Sequence, residues 1–487
     1  MDFLWDIILK IGLIYAFLYT SSKFIFSFLS LAQIKKYTKK YDHIASKEEI
    51  EEYVSKTRRD RRKILPKVTI VSPAFNEGLL IKDTALSFLS QSYPETEVII
   101  SSDSGTDGTL EILIDEFDLY EVPSSEFTDS KKITHKPIKR YYRSRKYDNF
   151  IVLDKVNGGK ADAQNAGISI SSGIITTIID ADSILEKNAL YHLVGLFERE
   201  DDVIGIGTPI GILNDSNVGD DGVEDGTIPK NFWAKIQVLE YLRSFLLGRM
   251  AFQRYRGLAM VSGAFGVYYK WVIEDVGGYS TGSLAEDMDI DCKGWRMVDN
   301  RKLNFRIRYI PEVFCWSEVP DDLKNLHSQR DRWSRGLTET MWKNRDLFMN
   351  PKYGVLGLFA YPYYLLFEWL TPLIEVFGFI FILISIINGS MDYHILAYLF
   401  MLYWTSGISL NALTLYAEKI TGGHYKNIKS FNKLMIVVFI EPLFYHWVNS
   451  AFYVYGNLRL LFGVRGWGKM DRKGLSLDKS KLQQKEG

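Results

Sequence analysis

Cysteine is nearly missing from the 487-residue sequence, which holds only Cys292 and Cys315. Two thiols cannot build a disulfide framework or a zinc cluster, so the polar part of the chain is expected in a reducing compartment. Net charge is missing as well: 59 basic side chains stand against 59 acidic ones, which removes any composition-level reason to expect nucleic acid as a partner. A charged fraction of 24% and a mean hydropathy of -0.07 exclude disorder, collagen and low-complexity fibre, and on average describe an ordinary soluble protein. The length calls for more than one domain.

What is present is segregated along the chain. Residues 3–32 are almost wholly apolar and aromatic, with Asp6, Lys10 and Lys23 as the only charges, and the run is long enough to cross a hydrocarbon core of about 30 Å. It is too long and too aromatic for a cleaved signal peptide. Lys35, Lys36, Lys39, Lys40 and then Arg58 to Lys63 follow, so the positive-inside tendency directs the next segment to the cytosol. After Gly354 the chain turns apolar again in blocks near 354–388, 394–417 and 434–462. The loop 418–433 and the tail after 463 are both rich in Lys and Arg and both favour the cytosol. Two topologies stand open. In one, which keeps both segments cytosolic, 434–462 enters and returns, or lies along the interface, with its break at Glu441-Pro442. In the other, 354–388 breaks near Glu368 and Pro372 into two crossings and the 418–433 loop lies outside. Glu368, Glu375 and Glu441 are costly against lipid and are expected to face a protein-lined or watery path. The expected organisation is an N-terminal transmembrane helix at 1–33, a basic amphipathic linker at 34–65, a polar folded domain at 66–345, interface and transmembrane helices at 346–463, and a cytosolic tail at 464–487.

The polar domain opens with a β-branched run at 67–72, helical spacing over 79–91 and a second apolar run at 96–102. Strand, helix, strand is the start of a doubly wound, mostly parallel α/β sheet, whose ligands sit beyond the carboxyl ends of the strands. The turns there are Pro73-Ala74-Phe75-Asn76-Glu77 and Ser102-Asp103-Ser104-Gly105-Thr106-Asp107-Gly108-Thr109; each alone is also an ordinary turn. Residues 110–150 read as a helix start followed by a charged, solvated loop. Gly158-Gly159-Lys160 then sets a lysine at the head of a helix, a spot suited to an anionic diphosphate. The buried run before Asp180-Ala181-Asp182 sends both carboxylates to one side of a strand, where a divalent cation between them would offset their repulsion. A helix cap is the simpler alternative for Asp182.

In this order, PAFNE, SDSGTDG, GGKADAQNAG and DAD resemble the donor-binding half of an inverting family 2 glycosyltransferase of the GT-A fold. Ala285-Glu286-Asp287 resembles that family's acceptor motif, and Gln329-Arg330-Asp331-Arg332-Trp333 matches its QxxRW motif. QxxRW just before membrane helices is similar to the processive membrane synthases of hyaluronan, chitin, cellulose and poly-N-acetylglucosamine. The resemblance covers 66–345 at the level of motifs. It implies a GT-A-type cytosolic domain inserted between transmembrane α-helices, a UDP-sugar donor, a growing polysaccharide acceptor and Mg²⁺ or Mn²⁺.

The resemblance also assigns roles. Asp287 becomes the catalytic base, with Glu286, Asp289 and Asp291 as competitors; the last two are more simply first-turn acids favoured by the helix dipole. Asp182 would hold metal. Ala74, Asn76, Glu77, Asp103, Lys160, Asp180, Gln329, Arg330 and Arg332 would bind donor, Arg332 through a guanidinium that forks onto two phosphate oxygens. Trp333, Glu286, Ser262 and Gly263 would meet the acceptor, Trp333 by stacking under a sugar ring. Gly466 to Arg472 resembles the short gating segment of hyaluronan-type synthases, with Trp467 and Arg472 as its marked residues, but lacks the threonine expected after the glycine. The amphipathic stretch 231–256 suits a helix lying on the membrane interface, or equally one packed on the sheet. The short tail after the last apolar block leaves no expected room for a cyclic-dinucleotide-binding module, so such regulation would call on a partner subunit. Two other readings stand beside a processive synthase: a single-addition transferase loading a polyprenyl phosphate carrier, and a non-catalytic membrane receptor or transporter with a nucleotide-binding domain.

Overall fold

The computed structural model describes residues 2–40, 65–219, 222–253, 256–425, 428–464 and 466. The described residues divide into a helical unit (within Met1–Thr38, Lys230–Leu258 and Pro320–Asp471) and an α/β unit (within Lys39–Pro229 and Ala259–Val319).

In the α/β unit, short runs become strands: β1 (Val68–Ala74), β2 (Thr96–Ser102), β3 (Leu119–Val122), β4 (Ile138–Ser144), β5 (Phe150–Lys155), β6 (Ile175–Ile179), β7 (Ser183–Leu185), β8 (Val203–Gly207), β9 (Ile210–Ile212), β10 (Asn217–Gly219), β11 (Gly222–Asp225), β12 (Phe265–Tyr269), β13 (Arg306–Tyr309) and β14 (Cys315–Ser317). Nine of them form one sheet in the order β13-β8-β12-β6-β1-β2-β5-β4-β3. Its centre, β6-β1-β2-β5, is wholly parallel, while β12 runs antiparallel between β6 and β8. A smaller sheet, β7-β14-β9, stands beside it, and β10 and β11 pair as a hairpin.

Parallel central strands are covered on both faces, which explains why β2 and β5 are buried at every residue. The Lys160–Ile170 helix packs its small residues on this sheet, burying Ala161, Ala166, Ile168 and Ile170 against Val71, Ile99, Leu153 and Ile178. The strand-helix-strand expectation at the start of the domain holds, with the helix at Ile81–Leu89.

The charged stretch after residue 110 is more ordered than a solvated loop. Residues 138–144 form β4, bonded on one side to β5 and on the other to β3. Its arginines are matched by acids, Arg140 to Asp154 at 2.8 Å and Arg143 to Glu126 at 3.0 Å, while Tyr142 and Ser144 are buried. High charge concealed a strand because each charge has a cross-strand or neighbouring partner.

Among the described residues, three helices are long and apolar enough to cross a membrane: Leu9–Lys40, Leu356–Ile387 and Tyr393–Ile420. A fourth apolar element, Asn432–Leu443 followed by Tyr445–Leu461, bends by 52° at Glu441-Pro442. The alternative in which 354–388 breaks into two crossings is not what the structure has. That helix runs on through Glu368 and Pro372, using π-helical turns at Leu356–Ala360 and Tyr364–Trp369 to absorb the irregularity. The N-terminal helix continues past residue 33 to Lys40. Arg58 to Lys63 lie outside the described residues.

All three acids inside the apolar blocks have partners from other helices. Glu368 meets Lys23 at 2.8 Å, Glu375 meets His446 at 2.7 Å and Ser450 at 2.5 Å, and Glu441 meets Arg243 at 2.9 Å and Asn411 at 3.0 Å. Arg243 belongs to the 231–256 stretch, so that stretch is part of the helical unit.

Glu97 shows what fixes the start of the α/β sheet. Its buried carboxylate on β2 accepts from the Thr69 hydroxyl on β1 at 2.8 Å, from Lys67 at 3.0 Å, and from the backbone N–H and hydroxyl of Ser172 at 2.9 and 2.6 Å. Burial alone would push this carboxyl up, but the hydrogen bonds from Ser172, Thr69 and Lys67 win and hold it below the usual range. Its stabilising share is therefore present above the ordinary glutamate pKa and is lost as pH falls through the depressed folded value. Glu97→Gln is expected to destabilise the α/β unit by about 1–3 kcal/mol, seen as a lower apparent Tm of the detergent-solubilised protein at pH 7, with the difference shrinking in acid.

Candidate active site

The carboxyl ends of β1, β2, β5 and β6 carry the donor-side motifs. Ala74 ends β1 and is buried. Asn76 follows in the left-handed region (φ 59°) and its Oδ1 accepts from the N–H of Thr106 at 2.7 Å. Glu77 N–H donates to the Thr109 hydroxyl at 2.9 Å, and Gly78 N–H to Asp107 at 2.8 Å. The two turns predicted from sequence are thus laced into one surface.

Asp103 is the largest departure from expectation. Its buried carboxylate accepts from Lys155 Nζ at 2.7 Å and from the N–H groups of Gly158 and Gly159 at 2.9 and 2.8 Å. Lys155 is also buried and bonds Asp162 at 2.5 Å. Asp103 thereby shapes the Gly158-Gly159 turn. Gly159 sits at φ 86°, a conformation costly for any residue with a Cβ, and starts the helix whose first residue is Lys160.

Lys160 joins the donor and acceptor motifs. Its Nζ lies 2.7 Å from Asp180, 3.2 Å from Glu286 and 3.2 Å from the carbonyl of Gly263. Asp180 N–H donates to the Ala264 carbonyl at 3.3 Å, so the end of β6 is tied to the loop before β12 as well. Burial pushes the Asp180 carboxyl up, Lys160 pulls it down, and Asp182 pushes it up again. Asp182 is buried in the turn between β6 and β7.

Asp287 is half-buried in the first turn of the Glu286–Asn300 helix, with Glu286 buried beside it. It faces the 261–264 loop so closely that a Cβ on Gly263 would lie 2.8 Å from Asp287 Oδ2. Gln164, Ser262, Gly263, Tyr268, Tyr279, Glu286 and Asp287 line one pocket. Asp289, a competitor for the base, bonds the Ser280 hydroxyl and is fully buried. Asp291, the other competitor, is buried and bonded through both oxygens.

Sequence reasoning missed Gln164, Tyr268 and Tyr279. Gln164 is 1% exposed and its Oε1 has no hydrogen-bond partner, an unusual state for a buried amide. The signal available in the sequence was its spacing of four from Lys160, which sets both on one helix face.

The QxxRW residues belong to the helical unit, on the Leu323–Lys343 helix capped by Asp322. Gln329 and Arg330 are buried; Arg332 and Trp333 are half-buried. Arg330 was expected among donor-binding residues. Its Nη2 instead meets Glu240 at 2.5 Å and Tyr445 at 3.0 Å, and its guanidinium lies 4.2 Å from the Trp333 ring centroid. Arg330 therefore anchors this helix and props the indole. Trp467 and Arg472 lie outside the described residues.

Known proteins bear on this arrangement. A model described as Glycosyl transferase family 2 matches residues 69–122, and one described as Glycosyl transferase family group 2 matches 175–414. The chain is 26% identical to the poly-beta-1,6-N-acetyl-D-glucosamine synthase of Staphylococcus epidermidis over 355 residues, 72% of either chain. It is 27% identical to that of Staphylococcus aureus (strain COL) over 315 residues, 64% of this chain and 62% of that one. Among solved structures, the mannosyltransferase PcManGT from Pyrobaculum calidifontis in complex with GDP-Man and Mn2+ matches with a TM-score of 0.48 and 18% identity, covering 86% of this chain and 99% of that chain. One model takes in the PAFNE and SDSGTDG turns and the other Asp180-Asp182, Glu286-Asp287 and QxxRW; with matches to one family on both segments, the chain belongs to the family 2 glycosyltransferases.

Proposed function

We propose that the protein is a processive, inverting synthase that polymerises N-acetylglucosamine from UDP-N-acetylglucosamine into a β-linked polysaccharide and passes it through its own membrane helices. The observation that carries this is the Lys160 contact set, which brings an anion-binding lysine, the Asp180-Asp182 pair and the Glu286-Asp287 pair into one site. The staphylococcal relatives bear the name of such a synthase and support the choice of sugar. A single-addition transferase fits less well, because Trp333 lies just ahead of a membrane-length helix, as an acceptor platform before a channel would.

The chemistry follows from the residues. The acceptor hydroxyl attacks C1 of the donor sugar as its proton passes to Asp287, the C1–O bond to the diphosphate breaks on the opposite face, and the configuration inverts. Lys160, at a helix N-terminus, is suited to the charge on the departing diphosphate. Gly263 places no side chain of its own against Asp287. Trp333 offers a flat face to the polymer end.

Among the described residues no group of three or more His, Cys, Asp or Glu is arranged to hold a metal ion by itself. Two carboxylates one residue apart do fit an Mg²⁺ or Mn²⁺ that arrives with the nucleotide and takes its remaining oxygens from phosphate and water. Asp182, with Asp180 beside it, would hold that ion, which would neutralise charge on the diphosphate. The α/β unit is taken as cytosolic and the protein as multi-pass, on the strength of Lys35, Lys36, Lys39 and Lys40 at the end of the first apolar helix. A regulatory partner subunit remains part of this reading.

Detergent-purified protein incubated with UDP-N-acetylglucosamine, or in parallel UDP-glucose, and Mg²⁺ or Mn²⁺ is expected to give high-molecular-weight product from the first donor only. Short lipid-linked product alone would overturn the polymerase reading in favour of the single-addition one. Asp287→Asn is expected to lower transfer by a factor on the order of 100 or more with UDP binding within twofold; near-normal turnover would remove Asp287 as the base. Gly263→Ala forces a methyl against Asp287, and transfer should fall at least about tenfold while the apparent Tm barely moves, since a base displaced from its line of approach is penalised steeply.

A further inference from the structure

The acceptor side of the site is gripped at two points by one helix. Asp287 and Asp291 are four residues apart on the Glu286–Asn300 helix and so point from the same face. The first abuts Gly263. The second, 1% exposed, accepts the backbone N–H of Val261 at 2.6 Å through Oδ2 and the hydroxyl of Tyr268 at 2.8 Å through Oδ1. Tyr268 is itself buried and lines the pocket that holds Glu286 and Asp287.

The surroundings of this pair are cut to fit it. Gly205 and Gly207 of β8 stand where any Cβ would be 2.7 Å from the Tyr268 ring or 2.9 Å from the Val261 side chain. Burial raises the Tyr268 phenol well above its usual range, with Asp291 adding to the shift, so its proton stays in place as donor at neutral pH. A buried carboxylate with both oxygens bonded is no general base. It is a fixed strut, and charge-assisted bonds of this kind are stronger than neutral ones.

We infer that Asp291, with Tyr268, is the positioning pair that holds the 261–264 loop at its working distance from Asp287, and so governs acceptor alignment without touching donor. Because Asp287 and Asp291 share one helix, the loop they grip cannot drift from the base while the Val261 bond holds. A loop moved by about 1 Å leaves the acceptor hydroxyl off line from the sugar, a misalignment that costs on the order of 100-fold in rate. Lys160, Asp180 and Asp182 lie on other elements, and the links of Lys160 and Asp180 to the loop run to Gly263 and Ala264, not to the Val261 end that Asp291 holds.

The inference rests on Asp287 acting as base, and the test separates the two. In Asp291→Asn, polymer elongation should fall about 10- to 100-fold in kcat, while UDP affinity and the slow release of UDP by transfer to water stay within twofold. Tyr268→Phe keeps the ring and removes one of the two bonds; it should change the same ratio of elongation to hydrolysis in the same direction but less. Should Asp291→Asn fail to fold, Tyr268→Phe carries the test alone. Elongation and UDP binding falling in parallel, or elongation unchanged in both variants, would overturn the positioning role. Normal turnover in Asp287→Asn would instead overturn the assignment of the base, whatever Asp291 does.

Discussion

One ammonium group organises the catalytic centre. Lys160 Nζ faces Asp180 at 2.7 Å and Glu286 at 3.2 Å, carboxylates from two different elements, and the Gly263 carbonyl from a third. Without a cation there, the end of β6 and the start of the Glu286–Asn300 helix would set like charges against each other in a half-buried site. The lysine reaches that point because the Gly158-Gly159 turn is fastened by Asp103, and Asp103 is fastened by the buried Lys155. The chain of dependence runs from a buried ion cluster to a turn, from the turn to a helix head, and from the helix head to both halves of the site.

The same economy of charge appears in the helical unit. Glu368, Glu375 and Glu441 would each be expensive in hydrocarbon, yet each meets a basic or hydroxyl partner on another helix. These pairs tie helices of the unit to one another.

The order of the motifs was legible in the sequence because each follows a strand or heads a helix, and local patterning reports both. Asp180-Asp182 and Lys160 were found by that route, whereas Glu286-Asp287 was found through its resemblance to the family's acceptor motif. The parts that were not legible depend on partners distant in sequence. That Lys155, 52 residues on, holds Asp103 is not readable from the motif around Asp103. Nor does the QxxRW motif tell that Glu240, 90 residues away, meets the Arg330 guanidinium. β4 was hidden by its charges, whose partners lie on neighbouring elements. The expected break at Glu368-Pro372 did not form because π-helical turns keep the helix continuous and Lys23 matches the glutamate. Neutral net charge and middling hydropathy, which suggested a soluble protein, are the mean of a charged α/β unit and an apolar helical one.

The proposed function has Lys160 meeting the diphosphate of the donor. Its most direct test is a calorimetric titration of the purified protein with UDP in the presence of Mn²⁺, wild type against Lys160→Met. The account predicts UDP affinity weaker by about tenfold or more in the variant, since one charge-assisted contact is worth roughly 1.5–3 kcal/mol. Unchanged UDP affinity in a folded Lys160→Met protein would contradict it.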